Sequence, residues 1–122
     1  MKSFRIRFVE ENNQIVGYIN GPAMSNKFIT DDLFASIRPN TNMGGYLSVL
    51  GLVVAKDFQN QGIAGQLLND FESIARQHAR FGVTLTCRDT LVSFYESHGY
   101  INEGLSDSIH ANVAWYNLVK EL

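Results

Sequence analysis

The stretch from Val49 to Cys87 restricts the fold more than any other part of the chain. An apolar run, Val49-Leu50-Gly51-Leu52-Val53-Val54-Ala55, leads through the polar connector Lys56 to Gly62 into a segment with Ala64, Leu67, Leu68, Phe71, Ile74, Ala75 and His78 at spacings of three and four. The run is far shorter than the ~20 residues a membrane helix needs and reads as a buried strand. The segment after it reads as an amphipathic helix. Its other face carries Gln66, Asn69, Asp70, Glu72, Ser73, Arg76 and Gln77, so only one side packs on a sheet. Gly82 follows the helix, and Val83, Leu85 and Cys87 then alternate with Thr84, Thr86 and Arg88 as the next strand. Strand, helix, strand is a crossover between parallel neighbours, which commits the chain to an α/β architecture.

The remaining segments extend that unit. Phe4, Ile6 and Phe8 alternate with Arg5 and Arg7, the period of a half-buried strand. Glu11-Asn12-Asn13-Gln14 is a turn, because asparagine tolerates positive φ, and Ile15 to Ile19 returns as the second strand of a hairpin. Thr30 or Asp31 caps a short helix through Leu33, Phe34 and Ile37 that stops at Arg38-Pro39. Tyr46 to Val54 is expected as one long central strand, with Gly51 marking a bulge or a close approach of another backbone or a ligand. Asp89 or Thr90 caps a second helix whose inward face is Leu91, Phe94, Tyr95 and His98, stopped by Gly99. Tyr100-Ile101 and Val113 to Val119 supply two last strands. The expectation is a mixed central sheet with flanking helices, and no repeat or linker divides residues 1–122 into more than one domain.

Composition narrows the function. Ten basic side chains against twelve acidic ones leave a formal charge of -2, which gives no broad field for nucleic acid or an anionic membrane. A single cysteine makes neither an internal bridge nor a cysteine-rich zinc site, and this predicts a reducing, cytoplasmic setting with no structural metal. Any anion must therefore be held locally. The junction at Gly62 offers such a place, because the first turn of a helix leaves backbone N–H groups unpaired and carries about half a positive charge. Gly62, Ala64 and Gly65 are small enough for a diphosphate to approach the main chain, although a strand–helix turn that binds nothing has the same appearance. No glycine precedes a lysine, so there is no P-loop, and neither G-x-G-x-x-G, G-x-S-x-G nor H-E-x-x-H occurs. Cys87, inside an alternating strand, reads as a small buried hydrophobe.

Two segments carry a family resemblance. Gln59-Asn60-Gln61-Gly62-Ile63-Ala64 matches the Q/R-x-x-G-x-G/A pattern of the GNAT superfamily of N-acetyltransferases, and lies between an apolar strand and an amphipathic helix as that pattern does. Leu91-Val92-Ser93-Phe94-Tyr95-Glu96-Ser97-His98-Gly99-Tyr100 resembles the superfamily's second signature, F-Y-E-x-x-G-F. The stretch Thr86 to Glu96, and Arg38-Pro39 ahead of Gly44-Gly45, are similar to the arylalkylamine (serotonin) N-acetyltransferases. The resemblance runs from about Phe4 to the end of the chain and begins at the hairpin, without the superfamily's first strand and two helices.

The resemblance implies a cleft for acetyl-CoA between two parallel strands that splay apart. Leu52, Val53 and Val54 would offer backbone groups to the pantetheine, and Gln59, Asn60, Gln61, Gly62, Ile63, Ala64 and Gly65 would hold the diphosphate. Tyr95 would be the acid that protonates the departing thiolate after direct attack by a primary amine, since a phenol keeps its proton at neutral pH. On its own helix Tyr95 also reads as a core residue. The arylalkylamine enzymes place two histidines where this chain has Ser48 and Leu50, so the base would be water relayed to Asp31, Asp32 or Glu96, or else His110. The implied acceptor is a small-molecule amine, with peptide or protein acetylation and a noncatalytic acyl-CoA-binding module as alternatives. Absent covering elements leave apolar surface and a strand edge open, which predicts a homo-oligomer.

Overall fold

A computed structural model of the protein describes residues 4–29, 43–106 and 113–122. The hairpin is β1 (Phe4–Glu11) paired antiparallel with β2 (Gln14–Met24), and Asn12 and Asn13 turn between them with φ of 51° and 65°. Two successive left-handed residues make the tight turn whose twist suits a hairpin. β2 is longer than the alternating sequence suggests because its far half, Gly21 to Met24, is buried under the next strand.

The single strand expected from Tyr46 to Val54 is two strands. β3 (Tyr46–Val49) and β4 (Gly51–Val54) part at Leu50. β3 lies between β2 and β5 (Gly82–Cys87), antiparallel to the first and parallel to the second. Among the described residues β4 pairs with β2 alone. The break has a steric origin in β2: the Leu50 N–H donates to the Asn20 carbonyl at 2.8 Å, and a Cβ at Gly21 would collide with the Ser48 carbonyl oxygen. Gly21 thus lets the end of β3 press onto β2, and the chain leaves β5 from that point onward.

α1 (Ile63–Gln77) and α2 (Asp89–Ser97) follow β4 and β5, and β6 (Ile101–Leu105) and β7 (Tyr116–Glu121) complete the sheet. The strand order is β1-β2-β3-β5-β7-β6, with β4 off that path beside β2. The crossover β3–α1–β5 is the parallel unit read from the sequence; every other pairing among the described residues is antiparallel. Ile63, Leu67, Leu68, Phe71, Ile74 and Ala75 of α1 close the core against Ile19, Leu47, Val83, Leu85 and Leu118.

Four further sequence expectations need correction. Glu72, assigned to the polar face of α1, is 3% exposed. On α2 only Tyr95 is buried; Leu91 is 48% exposed, and Phe94 and His98 are half-buried, because that face lines a cleft as well as meeting the core at Tyr95 and Phe94. The last strand begins at Tyr116 rather than Val113. β6 extends to Leu105 as a wholly exposed edge. The expected helix near Leu33, together with Asp31, Asp32, Arg38-Pro39 and His110, lies outside the described residues. Among the described residues no helix is long and apolar enough to cross a membrane, and no group of three or more His, Cys, Asp or Glu side chains forms a metal site.

Candidate active site

Where β4 departs from β5 the sheet opens into a cleft of about 880 Å³. Leu52 and Val54 of β4, the turn at Phe58, Gln59 and Asn60, the first turns of α1, and Leu91, Phe94, Tyr95 and His98 of α2 line it. Among the described residues β4 has no strand on its cleft side, so half of its backbone groups lack a ladder partner there. Which half follows from register. Ala55 N–H donates to Val16 O at 2.7 Å, and pairing alternates along an antiparallel ladder, so Val53 and Gly51 turn their groups toward β2. Leu52 and Val54 turn theirs to the open edge. The Gln59 side-chain amide donates to the Val54 carbonyl at 3.0 Å from that side.

The expected ligand-binding residues thus fall into two groups. Leu52, Val54, Gln59, Asn60, Gly62, Ile63, Ala64 and Gly65 line the cleft. Val53 and Gln61 do not: the Val53 side chain is 47% exposed on the opposite face, and the Gln61 amide reaches back to the Asp57 carbonyl at 3.5 Å. The turn before α1 contains two left-handed residues, Asn60 at φ 63° and Gly62 at φ 83°, a geometry that makes successive amides converge on one point. No acidic side chain stands in the first turn of α1 to compete with an anion there. Gly65 has a role the sequence did not disclose, since a Cβ there would sit 2.8 Å from Cε1 of the His98 ring. The glycine makes room for an imidazole contributed by α2.

Tyr95 is 7% exposed and stands at the inner wall of the cleft. Its ring meets Phe94 edge-on at 5.1 Å and Tyr100 at 5.8 Å. Burial, with a smaller contribution from neighbouring Cys87, pushes its phenol up to about 12. Cys87 is buried in the core and its thiol is pushed up to about 11 by burial, so it is an inert packing residue and not a nucleophile. Ser48 is fully buried, and its hydroxyl donates to the Pro22 carbonyl at 2.6 Å. Glu96, exposed on α2, does not line the cleft.

This geometry can be set against known proteins. The chain matches the model of the acetyltransferase (GNAT) domain over residues 2–122. Streptothricin acetyltransferase A of Bacillus subtilis is 24% identical over 108 residues, which is 84% of this chain and 62% of that protein. The chain therefore spans about three fifths of the length of this curated relative. Among solved structures, an acetyltransferase from Bacillus cereus superposes with a TM-score of 0.71 at 20% identity, over 98% of this chain and 73% of the other. A GNAT family acetyltransferase from Elizabethkingia anophelis with acetyl-CoA bound gives 0.71 at 18% identity, over 99% and 78%. Both structures share the overall fold with this chain, and the family model spans nearly every residue: the chain belongs to the GNAT acetyltransferase domain family.

Proposed function

We propose that the protein is an acetyl-CoA-dependent N-acetyltransferase whose acceptor is a small-molecule primary amine, with residues 1–122 acting as one domain. One observation carries this reading: the open edge of β4, the convergent amides before α1 and the Tyr95 phenol all face the same cleft. The site suits the cofactor on this chain's own terms. Leu52 and Val54 present amide groups of the kind a pantetheine arm pairs with, and Asn60 to Gly65 present N–H groups to a diphosphate with no carboxylate in the first turn of α1, the nearest acidic lining residue being Asp70 further along the helix. Leu91, Phe94 and Phe58 give the walls apolar surface.

When bound, acetyl-CoA supplies a thioester activated toward amines. The chain aligns it along β4, excludes water with its aromatic wall, and holds a proton on Tyr95. Burial keeps the Tyr95 phenol protonated across the neutral range, so its proton is available to a departing thiolate. Ser48, with its hydroxyl committed to Pro22, leaves no base at the position where arylalkylamine enzymes carry histidine. That finding, and a curated relative named for streptothricin, support a small-molecule acceptor other than an arylalkylamine. The buried, unpaired Cys87 supports the reducing cytoplasmic setting.

Calorimetry with CoA and thiol release with arylalkylamines, polyamines and peptides test the reading. A saturable isotherm with acetyl-CoA-dependent release for a small amine is expected. A flat isotherm overturns it, and binding without release for any amine makes the protein a noncatalytic acyl-CoA module.

We further infer a homo-oligomer. β1 is a sheet edge whose Phe4, Ile6 and Phe8 side chains remain exposed, and the opposite edge, β6, exposes Ile101 and Leu105. Sedimentation at micromolar concentration should show a species larger than one chain; a stable monomer refutes the inference.

A further inference from the structure

α1 carries one buried carboxylate, Glu72, on the side that faces β7 and the end of α2. Isolated there it would be costly, but both oxygens are engaged. Lys120 of β7 donates to Oε1 at 3.0 Å, and the Tyr100 hydroxyl donates to Oε2 at 3.0 Å. The Lys120 ammonium also donates to the backbone carbonyl of His98 at 3.0 Å and lies 5.8 Å from the centre of the Tyr100 ring. Gly99, at φ 90°, completes the stop of α2 against the Lys120 stem, which an added Cβ would approach to 3.3 Å.

The cluster thus grips the backbone of the residue whose ring enters the cleft. The His98 imidazole lies over Gly65 in the first turn of α1 and 4.8 Å from the Phe94 ring. Apolar packing would hold two helices together equally well, whereas a directed donor to the His98 carbonyl fixes where that one residue sits. We propose that Glu72, Tyr100 and Lys120 are positioning residues that set His98 as a wall of the cofactor cleft, next to the amides of α1. The proposal rests on the reading of that cleft as the CoA site.

A double-mutant cycle tests it. The paired change Lys120→Met with Glu72→Gln removes both charges together, and His98→Ala removes the ring. Each is expected to raise the CoA dissociation constant, and the KM for acetyl-CoA, about tenfold, while kcat at saturation changes less than about threefold. If the cluster acts through His98, combining them weakens binding no further than His98→Ala alone. Full additivity, or unchanged affinity in the paired variant, overturns the proposal. Should the paired variant not fold, Tyr100→Phe in the parent and in the His98→Ala background serves: about a threefold loss in the parent only is expected, and an equal loss in both overturns it. A parent that binds no CoA overturns the cleft reading itself, an outcome distinct from additivity.

Discussion

Tyr95→Phe is expected to lower kcat about a hundredfold while leaving the KM for acetyl-CoA within about twofold, the pattern of a lost proton donor. The separation is sharp because the hydroxyl makes no hydrogen bond to another described residue, so its removal breaks nothing inside the protein. The ring contacts to Phe94 and Tyr100 persist in phenylalanine. The thermal midpoint at neutral pH should therefore stay where it is. A variant with the parent's turnover removes Tyr95 from the chemistry and restores its reading as a core residue.

The same variant has a signature in alkali. Burial raises the Tyr95 phenol from 10.0 to about 12, so the native protein holds this proton more tightly than the unfolded chain does. The associated stability is fully present below pH 10 and is lost as pH rises toward 12. Phenylalanine does not titrate, so across that window the parent should lose roughly 2 kcal/mol more than the variant in denaturant melts. Equal losses would mean that the phenol is solvated in the native state. In activity, the phenol stays protonated throughout the neutral and mildly alkaline range, and any alkaline decline in kcat below pH 10 must come from another group.

Much of this was legible in the chain itself, for reasons that differ from place to place. The period of α1 and the alternation of β5 announced the crossover, because burial on one face writes itself into sequence as spacing. The two-asparagine turn announced the hairpin. The turn at Gln59 to Gly62 and the place of Tyr95 on the cleft wall were visible as motifs, since a tight turn with a left-handed residue demands glycine at a fixed position. The split at Leu50 was not visible: its cause is Gly21, distant in sequence, whose missing side chain matters only once β2 lies under β3. Gly51 drew attention to the right stretch for an incomplete reason. Glu72 was misplaced because a carboxylate is assigned outward by default, and its partners Tyr100 and Lys120 lie 28 and 48 residues away. His98 was read as core because helical spacing cannot distinguish a side chain facing the interior from one facing a cleft.

Gly62→Val is expected to weaken CoA binding by at least about thirtyfold while the protein remains folded. Two effects act together. At φ 83° a β-branched residue is strained, by roughly 1–2 kcal/mol or more, and relief of that strain rotates the amides that converge before α1. The new side chain meets nothing within 4 Å of its Cβ, so it projects into the open space over those amides where a diphosphate must approach. The second effect costs affinity without costing packing, which is why binding should fall by more than stability does. Gly62→Asn separates the two, since asparagine accepts the left-handed conformation with little strain yet still carries a side chain. If occupancy of the approach dominates, Asn binds nearly as poorly as Val; if strain dominates, Asn recovers most of the loss. Retention of the parent's affinity by the valine variant would show that the cofactor does not pass over Gly62, and the amides of this turn would then have no part in holding it.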